Sequence, residues 1–137
     1  MLKHAFHPFG VSSSQSAWLV LGVFVGVILS GCGAGMTPEQ KNAIQKLQTI
    51  GARVNFKRGG CEVDLTNTPV EDQDLVHARN IPHLILINLQ GTRITDTGLE
   101  HLHAIDTLEI VYLQRTLTTP EAVEKLRQTI PKAEVNH

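Results

Sequence analysis

A repeat of 24 residues is the feature that most constrains the fold of this 137-residue chain. When the sequence is aligned with itself at that offset, three segments with the same order of apolar and polar residues coincide, at 63–70, 87–94 and 111–118. A second set of apolar positions also coincides: Leu75, Leu99 and Val123, then Ala78, Leu102 and Leu126. Units this short cannot bury an apolar face alone, so neighbouring units have to stack to form a common core.

The apolar spacing changes within each unit. Ile87 and Leu89 alternate with the period of two that is typical of a strand, whereas Leu99 and Leu102 are three residues apart, as on a helix. Capping hydroxyls and early acids or proline, in Thr95-Asp96 and Thr119-Pro120-Glu121, indicate where helices begin, and Asp72 occupies the same slot in the first unit. The pattern predicts an α/β chain built from strand–helix units.

These residues carry a family resemblance. The second unit, Leu84-x-x-Ile87-x-Leu89-x-x-Thr92-x-Ile94 followed by Thr-Asp-Thr-Gly-Leu99, resembles a leucine-rich repeat, and its ITDTGL phrase is similar to the cysteine-containing subclass. The resemblance covers residues 60 to about 131 and implies a short solenoid of about three units, with parallel strands on the concave face and helices on the convex face.

Some positions depart from the pattern of this family. Thr68, Thr92 and Thr116 stand where the subclass has Cys or Asn, a polar side chain that bonds exposed backbone groups in the turn after the strand. Gly60 replaces the opening leucine of the first unit, and the third unit has Pro120 where the second has Asp96.

The ends of so short a solenoid need covers, because about three repeats are the minimum for stability. Residues 37–51 are predicted to form an N-terminal capping helix, with Thr37 as N-cap and Gly51 at its end. Residues 53–56 alternate and precede a turn, which predicts a strand in a hairpin with residues 61–65. The predicted organisation is therefore a cap over 37–59 and repeats over 60–137, with a last strand stub near Ala133–Val135.

The first 36 residues differ in kind from the rest. They contain no acid, and the uncharged run Ala17–Ser30 is only about 21 Å long as a helix, against a hydrocarbon core of about 30 Å. That length fits the apolar part of a signal peptide better than a membrane span. The alternative is an uncleaved anchor, since the uncharged stretch continues to Met36.

Leu29-Ser30-Gly31-Cys32 resembles the lipobox of bacterial lipoproteins. The resemblance implies a signal peptide at residues 1–31, lipid attachment at Cys32 and a tether over 32–36. Gly33 after the cysteine, where Asp often marks proteins kept at the inner membrane, favours the outer membrane. Both the lipoprotein and the uncleaved anchor place the remaining chain at a membrane surface of the cell envelope, facing the periplasm or the exterior.

The outward strand positions form the predicted binding surface. In leucine-rich repeats these positions alternate with core positions along the concave face. They are Glu62, Asp64, Thr66, Leu86, Asn88, Gln90, Ile110, Tyr112 and Gln114. Leu86, Ile110 and Tyr112 form an apolar centre with an acidic rim on one side, and the patch has the size needed for a peptide or loop. The alternative is that these residues are ordinary surface or are covered by the chain's own termini.

Other candidate chemistry is sparse. With 12 basic and 13 acidic side chains, the chain has no strong charge field to attract nucleic acid. His77 and His101 are one period apart but lack a third metal ligand, and Cys61 is expected to be a core residue. Asp72 and Asp74 are expected to cap a helix rather than to catalyse. We therefore expect no enzyme, no cofactor and no metal site.

The sequence thus favours a membrane-anchored leucine-rich-repeat module that binds a protein or peptide in the cell envelope. The alternative is a structural envelope lipoprotein that associates with itself through the exposed edges of its sheet.

Overall fold

The computed structural model describes residues 35–137, which form a mixed α/β structure with one five-stranded sheet. The strands are β1 (Arg53–Lys57), β2 (Gly60–Asp64), β3 (Leu84–Asn88), β4 (Ile110–Tyr112) and β5 (Glu134–Asn136). The helices are α1 (Pro38–Ile50), α2 (Asp96–Leu102) and α3 (Pro120–Thr129), and a 3₁₀ helix, Asp72–Asn80, follows β2. The strands lie in the sheet in the order in which they occur in the chain.

Helix α1 begins and ends where the sequence predicts. The Thr37 hydroxyl accepts the Gln40 N–H at 3.2 Å, and the Gln40 side chain accepts the Thr37 N–H at 2.9 Å, which together form a capping box. Gly51 ends the helix in the left-handed conformation. The predicted hairpin is also confirmed, because β1 pairs antiparallel with β2.

Strands β2 to β5 are parallel, and their register follows the sequence repeat. Val63 lies beside Ile87, Ile87 beside Val111, and Val111 beside Val135, so each step across the sheet advances the chain by 24 residues. All four side chains are buried. The α/β prediction is therefore confirmed, and the last strand is β5, displaced by one residue from the predicted stub.

The first unit departs from the others at its opening residue. Gly60 has φ of +149°, and a Cβ there would lie 2.6 Å from the His83 carbonyl oxygen. The register between β2 and β3 shifts just after this point, so that Cys61 pairs with Leu84. Only glycine fits this close approach, which explains why the leucine of the other units is missing, and buried Cys61 contributes to the core as predicted.

The helical segment of the first unit also differs, because it is a 3₁₀ helix and not an α-helix. A 3₁₀ helix has three residues per turn, so side chains three residues apart lie on one line. Leu75, Ala78 and Ile81 have this spacing and are all buried. In the other two units, α2 and α3 follow their predicted N-caps, Thr95 and Thr119.

One hydrophobic core joins the sheet to every helix of residues 35–137. It contains the inward strand residues together with residues from each helical segment, such as Leu47, Leu75, Leu102 and Leu126. Because all these helices bury their apolar residues against the same side of the sheet, the opposite side is left without a covering helix in the described part of the chain.

Candidate binding face

Two rows of side chains cross the side of the sheet opposite the core. The strand pairing places Glu62, Leu86, Ile110 and Glu134 side by side in one row, and Asp64, Asn88, Tyr112 and Asn136 in the next. We call these eight residues the open face. Six of them are predicted partner-binding residues. The sequence prediction missed Glu134 and Asn136, although both lie 24 residues after Ile110 and Tyr112.

The apolar centre of the open face is continuous across two strands. Leu86 and Ile110 are direct neighbours in the sheet, and Tyr112 follows Ile110 in the next outward position of β4. All three side chains are partly exposed. Glu62 lies next to Leu86 on one side and Glu134 next to Ile110 on the other, and the row continues from Glu62 to Asn55 of β1. The residues of the predicted acidic rim, Glu62 and Asp64, lie on the β2 side of this centre, and Glu134 of β5 adds a carboxylate on the other side.

The acidic residues of β2 are held by neighbouring groups. The Glu62 carboxylate lies 2.7 Å from the Lys57 ammonium nitrogen. The Asp64 Oδ1 atom accepts hydrogen bonds from the Thr66 hydroxyl at 2.5 Å and from the Thr66 N–H at 3.0 Å. The Thr66 hydroxyl is the main cause that lowers the pKa of Asp64 from its ordinary value, and the charge of Arg53 acts in the same direction. Asp64 is therefore a fixed negative charge at neutral pH.

The remaining predicted residues, Thr66, Gln90 and Gln114, follow the strands and border the open face. The Thr66 hydroxyl donates its hydrogen bond to Asp64, and the Gln90 N–H donates to the Asn88 side-chain oxygen at 3.0 Å. Gln114 Oε1 is buried and, among residues 35–137, receives no hydrogen bond. The Thr66 side chain and the Gln90 backbone therefore take part in the turn structure that holds the open face.

The turns after the strands repeat one arrangement. The hydroxyls of Thr68, Thr92 and Thr116 each donate to the carbonyl oxygen three residues earlier, at 2.7, 2.6 and 2.7 Å. The residue before each threonine has a positive φ, namely Asn67, Gly91 and Arg115. The expected role of these threonines in bonding the turn backbone is confirmed, and it gives β2, β3 and β4 the same end.

Asp72 and Asp96 connect successive units. Asp72 accepts the Thr95 N–H at 2.8 Å and the Thr95 hydroxyl at 2.5 Å, and Asp96 accepts the same two groups of Thr119 at 2.7 and 2.9 Å. Asp72 therefore bonds the N-cap residue of the following helix. The sequence had suggested a capping role in its own segment instead. Asp74 does act locally, because its carboxylate accepts the Glu71 N–H.

The candidate metal-binding histidines do not form a cluster. His77 and His101 are both half-buried, and residues 35–137 contain no group of three or more His, Cys, Asp or Glu side chains able to hold a metal ion. His101 lines a shallow groove of about 610 Å³ together with Asp72, Arg93 and Leu117. Asp72 is already engaged by Thr95 there, so the groove offers a mixture of charged and apolar groups without a recognisable catalytic arrangement.

The predicted signal peptide at residues 1–31 and the lipid attachment site Cys32 lie outside the described residues. Within residues 35–137, no helix has both the length and the apolar character needed to span a membrane. Comparison of the chain with protein-family models and with curated proteins finds no match.

Proposed function

We propose that this chain is a membrane-anchored leucine-rich-repeat protein that binds a protein or peptide of the cell envelope through its open face. The constant 24-residue step between parallel strands supports the repeat assignment, as do the repeated threonine turns. Lipid attachment at Cys32 rests on the lipobox residues Leu29-Ser30-Gly31-Cys32.

The open face is the observation that carries the binding function. Leu86, Ile110 and Tyr112 form a partly exposed apolar patch on a sheet surface that no helix of residues 35–137 covers. A contiguous apolar centre with a polar rim is typical of interaction sites, and tyrosine is a frequent energetic anchor there. The patch therefore suits binding, and we propose no catalytic step.

The charges around this centre define the chemistry of the partner. Glu62 and Glu134 flank Leu86 and Ile110 in one row, and the Glu62 carboxylate is paired with Lys57 of β1 at 2.7 Å. A suitable partner is an extended segment or loop that places apolar side chains on the centre and N–H or cationic groups near Glu134, which has no ion pair among residues 35–137. Complementary charges of this kind orient a partner more than they strengthen its binding.

The test is crosslinking and affinity capture from native envelopes, followed by a binding measurement with the purified partner. The face variant is Leu86→Asp with Tyr112→Ala. The control variant is Val76→Asp with Leu117→Ala, because these apolar residues are also exposed, at 40% and 63%, but lie off the open face. Both variants must retain the circular dichroism of the wild type.

We expect the wild type and the control to capture the same partner, and the face variant to bind it at least tenfold more weakly. Truncating a buried interface anchor costs about 2 kcal/mol or more, which exceeds one factor of ten. Equal capture by the face variant would contradict the proposal.

The alternative function, self-association, has one structural observation in its favour. The outer edges of β1 and β5 have no neighbouring strand among residues 35–137, and exposed strand edges can pair with other chains. If wild type and both variants captured only further copies of the chain, the structural role would replace the binding role. Sedimentation of the detergent-solubilised chain would then show association that increases with concentration.

A further inference from the structure

Charge is strongly segregated in the described structure, although the whole chain has a net charge of only −1. Residues 35–60 carry five cationic side chains and a single carboxylate, whereas residues 61–137 carry twelve carboxylates and six cationic side chains. The five cations are Lys41, Lys46, Arg53, Lys57 and Arg58, and all are exposed. Since β1 is an outer strand of the sheet and α1 packs beside it, the positive charge lies at one end of the molecule.

Only part of this charge is neutralised within the chain. Lys57 is paired with Glu62, and Arg53 lies opposite Asp64 in the β1–β2 register. Among residues 35–137, no carboxylate lies within ion-pair distance of Lys41, Lys46 or Arg58. Phe56, on β1 in the same end of the molecule, is 40% exposed. Exposed cations together with an exposed aromatic ring are typical of surfaces that contact lipid headgroups.

This end is also the part of the structure closest in sequence to the proposed lipid attachment site. Cys32 precedes Thr37, the N-cap of α1, by five residues, which span at most about 18 Å when fully extended. We propose that the basic end, formed by Lys41, Lys46, Arg58 and Phe56, docks on anionic lipid headgroups and holds α1 and β1 towards the membrane. The inference rests on the lipid anchor of the proposed function.

A second copy of the chain fits the basic end less well. The opposite end of the molecule, residues 120–137, contains three carboxylates and three cationic side chains and therefore has no net charge to attract it. An anionic bilayer presents a continuous negative surface. Each lysine or arginine near that surface increases the binding affinity about fivefold. Docking would leave the open face directed sideways, where a partner in the envelope can reach it.

The test uses the full chain, purified in detergent from envelopes of a bacterial host and reconstituted into vesicles. One set contains phosphatidylethanolamine with phosphatidylglycerol, and the other contains only phosphatidylcholine. Lysines are modified with an amine-specific reagent, and each site is quantified by mass spectrometry. We expect Lys41 and Lys46 to react about fivefold more slowly on the anionic vesicles than on the zwitterionic ones, while the rate at Lys132 changes little. Added salt should remove the difference.

A charge-reversal variant locates the effect. Lys41→Glu, Lys46→Glu and Arg58→Glu are combined, and the matched control reverses Arg79, Arg93 and Lys132, which are also exposed. Lys57, the last residue of β1, lies next to Arg58 and keeps its partner Glu62 in both variants, so it serves as the reporter, and we expect it to be protected in the wild type like Lys41 and Lys46. Its protection on anionic vesicles should be lost in the first variant and retained in the control. Equal rates at Lys41, Lys46 and Lys132 on both vesicle types would overturn the docking proposal.

Flotation of the same samples separates this proposal from the anchor. A chain that floats with both vesicle types but shows no lysine protection retains its anchor and does not dock through the basic end. A chain that floats only with anionic vesicles and shows the protection docks through the basic end without a lipid anchor. A chain that floats with neither refutes both.

Discussion

Replacing Asp72 with alanine should destabilise the structure more than replacing Asp96, although both aspartates make the same pair of hydrogen bonds. Each carboxylate accepts an N–H and a hydroxyl from the threonine that caps the next helix, Thr95 or Thr119. The bonds of Asp72 are partly buried, whereas those of Asp96 are exposed to solvent. Water can therefore replace the carboxylate of Asp96 but has less access to that of Asp72.

The magnitudes follow from this difference in burial. Hydrogen bonds to a charged acceptor contribute about 1.5–3 kcal/mol when the donor would otherwise be left unpaired. We expect a loss of about 2–3 kcal/mol in the free energy of unfolding for Asp72→Ala, and about 0.5–1 kcal/mol for Asp96→Ala. In a domain of about 100 residues, each kcal/mol lowers Tm by about 4–8 °C, so Asp72→Ala should lower it by roughly 10–20 °C.

The assay is thermal and urea unfolding of the full chain in mild detergent, with circular dichroism as the signal. Asp72→Asn is the matched comparison, because it keeps an oxygen that can accept the Thr95 N–H while it removes the charge and replaces the second accepting oxygen with an NH2 group. A double-mutant cycle with Thr95→Ala should give a coupling energy of about 1 kcal/mol or more. Equal losses for Asp72→Ala and Asp96→Ala, or a coupling energy near zero, would refute the idea that this carboxylate ties successive units together.

Three further changes test other parts of the structure by the same unfolding measurements. Gly98→Ala should lower stability by about 1–3 kcal/mol, because the new Cβ would lie 2.5 Å from the Asp72 carboxylate oxygen; an unchanged Tm would contradict this packing. Arg115→Gly should raise stability by about 0.5–1 kcal/mol, since Arg115 has φ of 57°; a loss would show that its side chain matters more than its backbone. Asp64→Asn should cost about 0.5–1 kcal/mol at neutral pH by weakening the bonds from Thr66. The pKa of Asp64 is lowered in the folded chain, so this cost should disappear as the pH falls from the ordinary aspartate pKa of 3.8 through the lowered pKa. A pH-independent cost would contradict the charge argument.

The features that could be predicted from the sequence are those encoded by residues close together in the chain. Thr37 and Gly51 bound α1 because an N-cap and a left-handed C-cap act on groups within one helical turn. The alternation of Ile87 with Leu89 identifies a strand because one face of the sheet is buried. Repetition of this pattern then predicted which strand residues face away from the core.

The tertiary structure alone decided the features that depend on contacts between units. Asp72 has an ordinary capping position in the sequence, yet it bonds Thr95 of the next unit, 23 residues later. Glu134 lies one 24-residue step after Ile110, but it became part of the open face only once β5 paired with β4, because three residues have too little periodicity to define a strand and its bounds. The close approach of the His83 carbonyl to Gly60 likewise depends on how two strands meet. Periodicity indicates which side chains share a face, whereas the position of one unit against the next depends on packing between residues that are distant in the chain.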